Sequence, residues 1–321
     1  MRRGRDAAPH GQGGHVMTAA IVADGVRKRY GDIQAVDGVS LHIEAGEFYG
    51  ILGPNGAGKT TTLEILEGVR EPDEGRIELF GKSPWPRNHE LLTRIGVQFQ
   101  ASSFFDKLTT RETIRLFASF HRLGARQADA MLARVGLTDF GSVPADKLSG
   151  GQAQRLSIAC GLVHDPEIVF LDEPTAGLDP QARRNLWDLL RDVNQEGRTV
   201  VLTTHYLDEA EILCDRVSVM EHGKVLKTGA PAALIRELDD MVRVSVESGL
   251  VAPDVLRGLL ESAGVDNTIV EDDEVSLTVA THTPGPVLSI LADQGALRGL
   301  EVRGATLEDV FLQLTGREYR A

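Results

Sequence analysis

The segment GPNGAGKT has the composition of a phosphate cradle: Gly53, Pro54, Asn55, Gly56, Ala57 and Gly58 precede Lys59 and Thr60, with Thr61 next. Glycines let the chain curl so that successive N–H groups point inward at phosphate oxygens. Lys59 can reach the β- and γ-phosphates of a nucleotide, and the Thr60 hydroxyl can ligate Mg²⁺. A second glycine-rich stretch, LSGGQ, puts Ser149, Gly150, Gly151 and Gln152 in front of a helical pattern carried by Leu156, Ala159 and Leu162. A helix start of that kind exposes unpaired N–H groups and the positive end of the dipole, so it too suits an anion. IVFLDE ends an apolar run in Asp172 and Glu173. Asp172 can bind Mg²⁺ through water, and Glu173 can polarise an attacking water as a general base. The bland alternative is a strand that ends in solvated acids.

Weaker candidates depend on their company. His205 closes TVVLTTH; alone it reads as a capped surface residue, but beside a nucleotide it can hydrogen-bond the γ-phosphate or the attacking water. Gln100 closes IGVQFQ and is otherwise a plain loop glutamine. Tyr30, in RKRYGD, can stack on a base with about 1–3 kcal/mol, or pack in the core. Phe104 and Phe105 read equally as a partner contact or as helical core.

These groups need a frame. Short apolar runs such as IVFL and VVL read as strands buried on both faces, and they alternate with helical patterns from residue 20 to about 235. That predicts an α/β fold with a mostly parallel sheet. Between about 101 and 150 the strand signal fades and TTRETIRLFASFHRL and RQADAMLARVGL read as helices, the first capped by Thr109 or Thr110. After Asp239 the order becomes βαββαβ, that of a ferredoxin-like unit, closed by the helix TLEDVFLQLTG. We therefore expect an arm over 1–16, a nucleotide-binding domain over 17–238 and a small contact or regulatory domain over 239–321. Met17 offers an alternative start.

Net charge is −13 and the sequence pI about 5.2, which argues against a nucleic-acid surface. From Asp239 onward 15 acidic residues face six arginines and no lysine, so the acidity is concentrated there. Cys160 and Cys214 form no pairing pattern, which fits a reducing compartment. No apolar run approaches the roughly 18–20 residues of a membrane span.

In order, Tyr30, GPNGAGKT, Gln100, LSGGQ, IVFLDE, GLDP (Gly177 to Pro180) and His205 resemble the ATP-binding cassette family of transporter ATPases over residues 20 to about 235. The resemblance implies a phosphate-loop NTPase core with a helical subdomain, ATP and Mg²⁺ as ligands, and ATP hydrolysis coupled to transport. It implies two chains packed head to tail, with Ser149, Gly150 and Gly151 of one gripping the γ-phosphate held by the other, and Asp179 linking the two sites. It makes Gln100 the Mg²⁺ and water contact that reports to a membrane subunit. The tail ATLEDVFLQLTGREYR is similar to that of daunorubicin-resistance ATPases, which implies a separate polytopic permease, an amphiphilic cargo and a place at the cytoplasmic face of the membrane. Ala153 after the signature and VQFQ before the helical insert depart from the usual pattern. A soluble cassette of translation or DNA repair, and a nucleotide-gated module without turnover, are the competing readings; one cassette without cysteine cluster or heptads speaks against the first, and Glu173 with His205 against the second.

Overall fold

The computed structural model describes residues 19–98, 107–238, 242–265, 269–272 and 275–316, so the arm and Met17 lie outside it. The chain opens with β1 (Ala19–Tyr30), β2 (Ile33–Glu44) and β3 (Phe48–Leu52), followed by α1 (Lys59–Leu66), β4 (Glu74–Leu79), α2 (His89–Leu92) and β5 (Ile95–Val97). Three helices follow: α3 (Thr110–Phe120), α4 (Ala125–Arg134) and α5 (Gly150–Leu162). Next come β6 (Ile168–Asp172), α6 (Pro180–Gln195), β7 (Thr199–Thr204), α7 (Leu207–Leu213), the hairpin β8 (Arg216–Glu221) and β9 (Lys224–Gly229), and α8 (Pro231–Arg236). The last segment contains β10 (Val242–Glu247), α9 (Pro253–Ser262), β11 (Ile269–Asp272), β12 (Ser276–Thr281), α10 (Pro284–Asp293), β13 (Glu301–Arg303) and α11 (Leu307–Thr315).

The central sheet runs β5-β6-β7-β3-β8-β9, parallel except for β9. Every position of β3 and β7 is buried, and all of β6 but Asp172. Covered on both faces, such strands have no polar side to present, which is why they read as continuous apolar runs. Because the strands are parallel, the segments after β3, β6, β7 and β8 all emerge at one edge, the place where open α/β sheets bind ligands. The α/β expectation holds. A separate antiparallel sheet, β2-β1-β4, was not anticipated; its core of Ile21, Val36, Val39 and Ile43 merges with Tyr49 and Ile51 of β3.

The helical insert is also present. Thr109 caps α3 through a reciprocal bond with Glu112, whose backbone N–H it accepts. Ile114, Ala118, Leu132 and Leu156 bury the inner faces of α3, α4 and α5 against the side of the sheet.

The C-terminal sheet, β11-β12-β10-β13, is wholly antiparallel, the order expected of a ferredoxin-like unit. Val244, Val246, Leu277 and Val279 point to one face and meet Leu256, Leu260, Val287 and Leu291 of α9 and α10. The closing helix α11 goes elsewhere. Leu307, Val310 and Phe311 join the core that covers the central sheet, beside Leu213 and Leu234, and the Leu307 N–H lies 3.5 Å from the Glu211 carboxylate on α7.

Candidate functional site

The phosphate loop leaves the buried β3 and turns into α1 without a side-chain cap, since Gly58 stands at the capping position with φ 98°. A Cβ there would lie 2.2 Å from the Ala35 carbonyl oxygen, so both backbone angle and space require glycine. The first-turn amides of α1 are thus left for a ligand. Lys59 is 4% exposed; its Nζ donates to the Gly53 carbonyl at 2.8 Å and the Pro54 carbonyl at 3.3 Å. Those bonds curl the loop around its own lysine.

Parallel strands bring the acids to the same place. Lys59 Nζ stands 3.1 Å from Glu173 Oε1, and His205 Nδ1 stands 2.9 Å from Glu173 Oε2. Thr60 Oγ1 lies 3.3 Å from Asp172 Oδ1, which also accepts from the Thr203 hydroxyl. Glu173 takes a left-handed φ of 46°, held by its N–H donating to the carbonyl and hydroxyl oxygens of Thr203 on β7. A non-glycine residue in that region is strained, and the Thr203 clamp turns the carboxylate toward Lys59. Burial acts to raise the Glu173 pKa, but Lys59 and then His205 outweigh it and hold the carboxyl below its ordinary range. It is therefore ionised at neutral pH, the form a general base needs.

A cavity of about 410 Å³ lies over the loop, lined by Pro54 to Thr61, Glu173, Ile33, Gln34, Ala35 and His222. Ile33, Gln34, Ala35 and His222 escaped the sequence reading. The first three carry no chemistry-specific pattern, and the only trace of His222 is a His-Gly pair between two apolar runs, a hairpin signal. Tyr30 is not among the described lining residues. The residue is 39% exposed, with the Arg70 guanidinium 5.3 Å and Lys28 Nζ 5.9 Å from its ring centroid, so it does not pack in the core.

Ser149 caps α5, accepting from the Gln152 N–H while Gln152 Oε1 accepts from the Ser149 N–H. Ser149 and Gly150 are exposed, and none of Ser149 to Gln152 lines the cavity. Asp179 caps α6 by accepting from the N–H groups of Gln181 and Ala182. Gly151 approaches that helix start, since a Cβ on it would meet the Ala182 Cβ at 3.2 Å. The signature and Asp179 thus form one surface. Gln100, Phe104 and Phe105 lie outside the described residues.

Among the described residues no cluster of three or more His, Cys, Asp or Glu could hold a metal by itself. Thr60 and Asp172 do present a hydroxyl and a carboxylate to the same spot, hard oxygen donors of the kind Mg²⁺ takes when phosphate supplies further oxygens. No helix among the described residues is long and apolar enough to cross a membrane.

A family model described as ABC transporter matches residues 36–176. The chain is 40% identical over 316 residues to a Nod factor export ATP-binding protein of Paraburkholderia xenovorans, covering 94% of this chain and 98% of that one. It is 39% identical over 312 residues to a daunorubicin resistance ATP-binding protein of Streptomyces coeruleorubidus, covering 94% and 97%. The dimeric structure of a bacterial ABC transporter cassette superposes with a TM-score of 0.61 at 32% identity, over 65% of this chain and 98% of that one. A post-hydrolysis cassette dimer bound to ADP and phosphate gives 0.60 at 30% identity, over 65% and 98%.

Proposed function

The chain belongs to the ABC transporter family as an ATP-hydrolysing subunit, and on that footing we propose that two copies close head to tail on two ATP molecules and drive export through a separate membrane permease. The observation that carries this is the meeting of Lys59, Asp172, Glu173 and His205 at one sheet edge, with Glu173 held between Lys59 and His205. Loop amides and Lys59 bind and orient the triphosphate, and Tyr30 stands at the base end. Glu173 accepts a proton from the attacking water as that oxygen bonds to the γ-phosphorus and the bond to the β–γ bridging oxygen breaks, leaving ADP and phosphate. His205 holds the second carboxylate oxygen and so fixes the direction of the base. Mg²⁺, held by Thr60, Asp172 and Gln100, supplies charge neutralisation of the phosphates when bound.

The exposed surface of Ser149, Gly150, Gly151, Gln152 and Asp179 belongs, in this reading, to the partner's nucleotide. The helical insert passes closure to the permease, which keeps the subunit at the cytoplasmic face of the membrane. The export of a Nod factor and resistance to daunorubicin, named for the two relatives, favour an amphiphilic cargo, and residues 239–321 form a contact domain.

Complementation tests the shared seam. Lys59→Ala and Ser149→Arg each lower phosphate release about a hundredfold or more when alone. Mixed, a head-to-tail pair of the two variants concentrates both defects in one site and leaves the other intact, so partial activity returns. A mixture as silent as its components rejects the head-to-tail reading.

A further inference from the structure

The sheet order assigns a direction to the cavity. Glu173 follows β6 and His205 follows β7, on one side of β3, whereas the β8–β9 turn lies on the other side. The γ-phosphate must approach Glu173, so the triphosphate runs along the loop away from β6 and its nucleoside end arrives beside Ile33, Gln34, Ala35 and His222.

The turn that carries His222 is fixed to the phosphate loop by main chain. His222 and Gly223 have φ 48° and 77°, the two left-handed positions of a two-residue hairpin turn. The Gly223 N–H donates to the Ala57 carbonyl at 2.9 Å, and its own carbonyl accepts from the Asp37 N–H at 2.7 Å. A Cβ on Gly223 would lie 2.9 Å from the Ala35 carbonyl oxygen, so loop, β2 and turn meet backbone to backbone. On this rigid mount the His222 side chain is 76% exposed, and its Nε2 is 3.9 Å from Glu221, beyond hydrogen-bond reach. The ring lines the cavity without a structural duty that the turn itself does not already meet.

We infer that His222 is a nucleotide-binding residue whose imidazole hydrogen-bonds the ribose–α-phosphate end of ATP, the part of the ligand beyond Lys59. The inference rests on the reading that this cavity holds ATP. Gly is the substitution of choice, because it suits a left-handed φ better than His does and leaves the turn intact. Calorimetric titration of the full-length chain and its His222→Gly variant with ATP and with inorganic tripolyphosphate separates the possibilities. The expected result is a Kd for ATP raised about fivefold to tenfold, in line with one lost hydrogen bond, with tripolyphosphate affinity unchanged. In turnover, KM for ATP rises by a similar factor while kcat at saturation stays within about twofold. Unchanged ATP affinity overturns the inference alone. Equal weakening of both ligands also overturns it, because it makes the turn a brace for the loop. A parent chain that binds neither ligand overturns the ATP reading of the cavity together with it.

Discussion

α1 and α5 both begin on glycine-rich turns, yet the two starts are finished in opposite ways. At α1 the capping position is a glycine with no side chain to offer, the following lysine is buried, and the loop is walled by Glu173 and by the β8–β9 turn. At α5, Ser149 and Gln152 satisfy each other across the first turn, and the serine and first glycine stand exposed. One start is a cradle completed by its own chain; the other is a self-capped surface that can wait for a ligand presented from outside. Two glycine-rich helix starts in one chain are therefore not equivalent, because only one of them has walls.

Five substitutions would break or sharpen that contrast. Glu173→Gln removes the base from the walled site: phosphate release should fall by about 10²–10⁴-fold, while equilibrium ATP binding persists. Release at the parent rate would reassign the base. Ser149→Arg attacks the open start, and hydrolysis should drop on the order of a hundredfold, the scale of one lost charge-stabilising donor. ATP affinity of the isolated chain should stay as it was; parallel loss of both would place the signature over its own loop.

The glycines separate the two starts by stability. A Cβ at Gly58 meets the Ala35 carbonyl oxygen at 2.2 Å with φ 98°, whereas a Cβ at Gly150 meets nothing within 4 Å. Gly58→Ala should cost about 2–3 kcal/mol and lower Tm by roughly 3–5 °C. Gly150→Ala should stay within about 0.5 kcal/mol of the parent. Similar melting curves for the two would remove the steric half of the comparison.

The smallest effect concerns the far end of α1. Glu67, which closes that helix, has its pKa pushed up to about 8 by burial first, then by Asp172 and Glu64. In the unfolded chain a glutamate titrates near about 4.3. Between those values the folded state holds a proton the unfolded state has released, so stability falls as pH rises across that window. Glu67→Gln removes this dependence, and its Tm should decline less than the parent's between pH 5 and pH 8. A parallel decline would mean that Glu67 is ionised in the fold.

The C-terminal sheet was legible because its strands alternate: Val244 and Val246 face helices while Arg243, Ser245 and Glu247 face out. The destination of α11 was not. An apolar stripe such as Leu307, Val310 and Phe311 announces that a helix is covered, but not by what, and here the cover is α7 and α8 rather than the adjacent sheet. Likewise the antiparallel β2-β1-β4 sheet left no mark stronger than its individual strands, since pairing joins residues remote in sequence.

The sequence by itself determined the local chemistry: which loop curls, where β6 and β7 stop, and that Lys59, Asp172 and Glu173 are available. Those are properties of short segments, set by glycine freedom, apolar run length and helix-capping residues. Only the tertiary structure decided that Glu173 is held by Lys59 on one side and His205 on the other, and that Ile33 to Ala35 and His222 wall the cavity. Such contacts depend on strand order and crossover direction, which no single segment encodes, because they arise when whole strands choose their neighbours to bury both faces of a sheet.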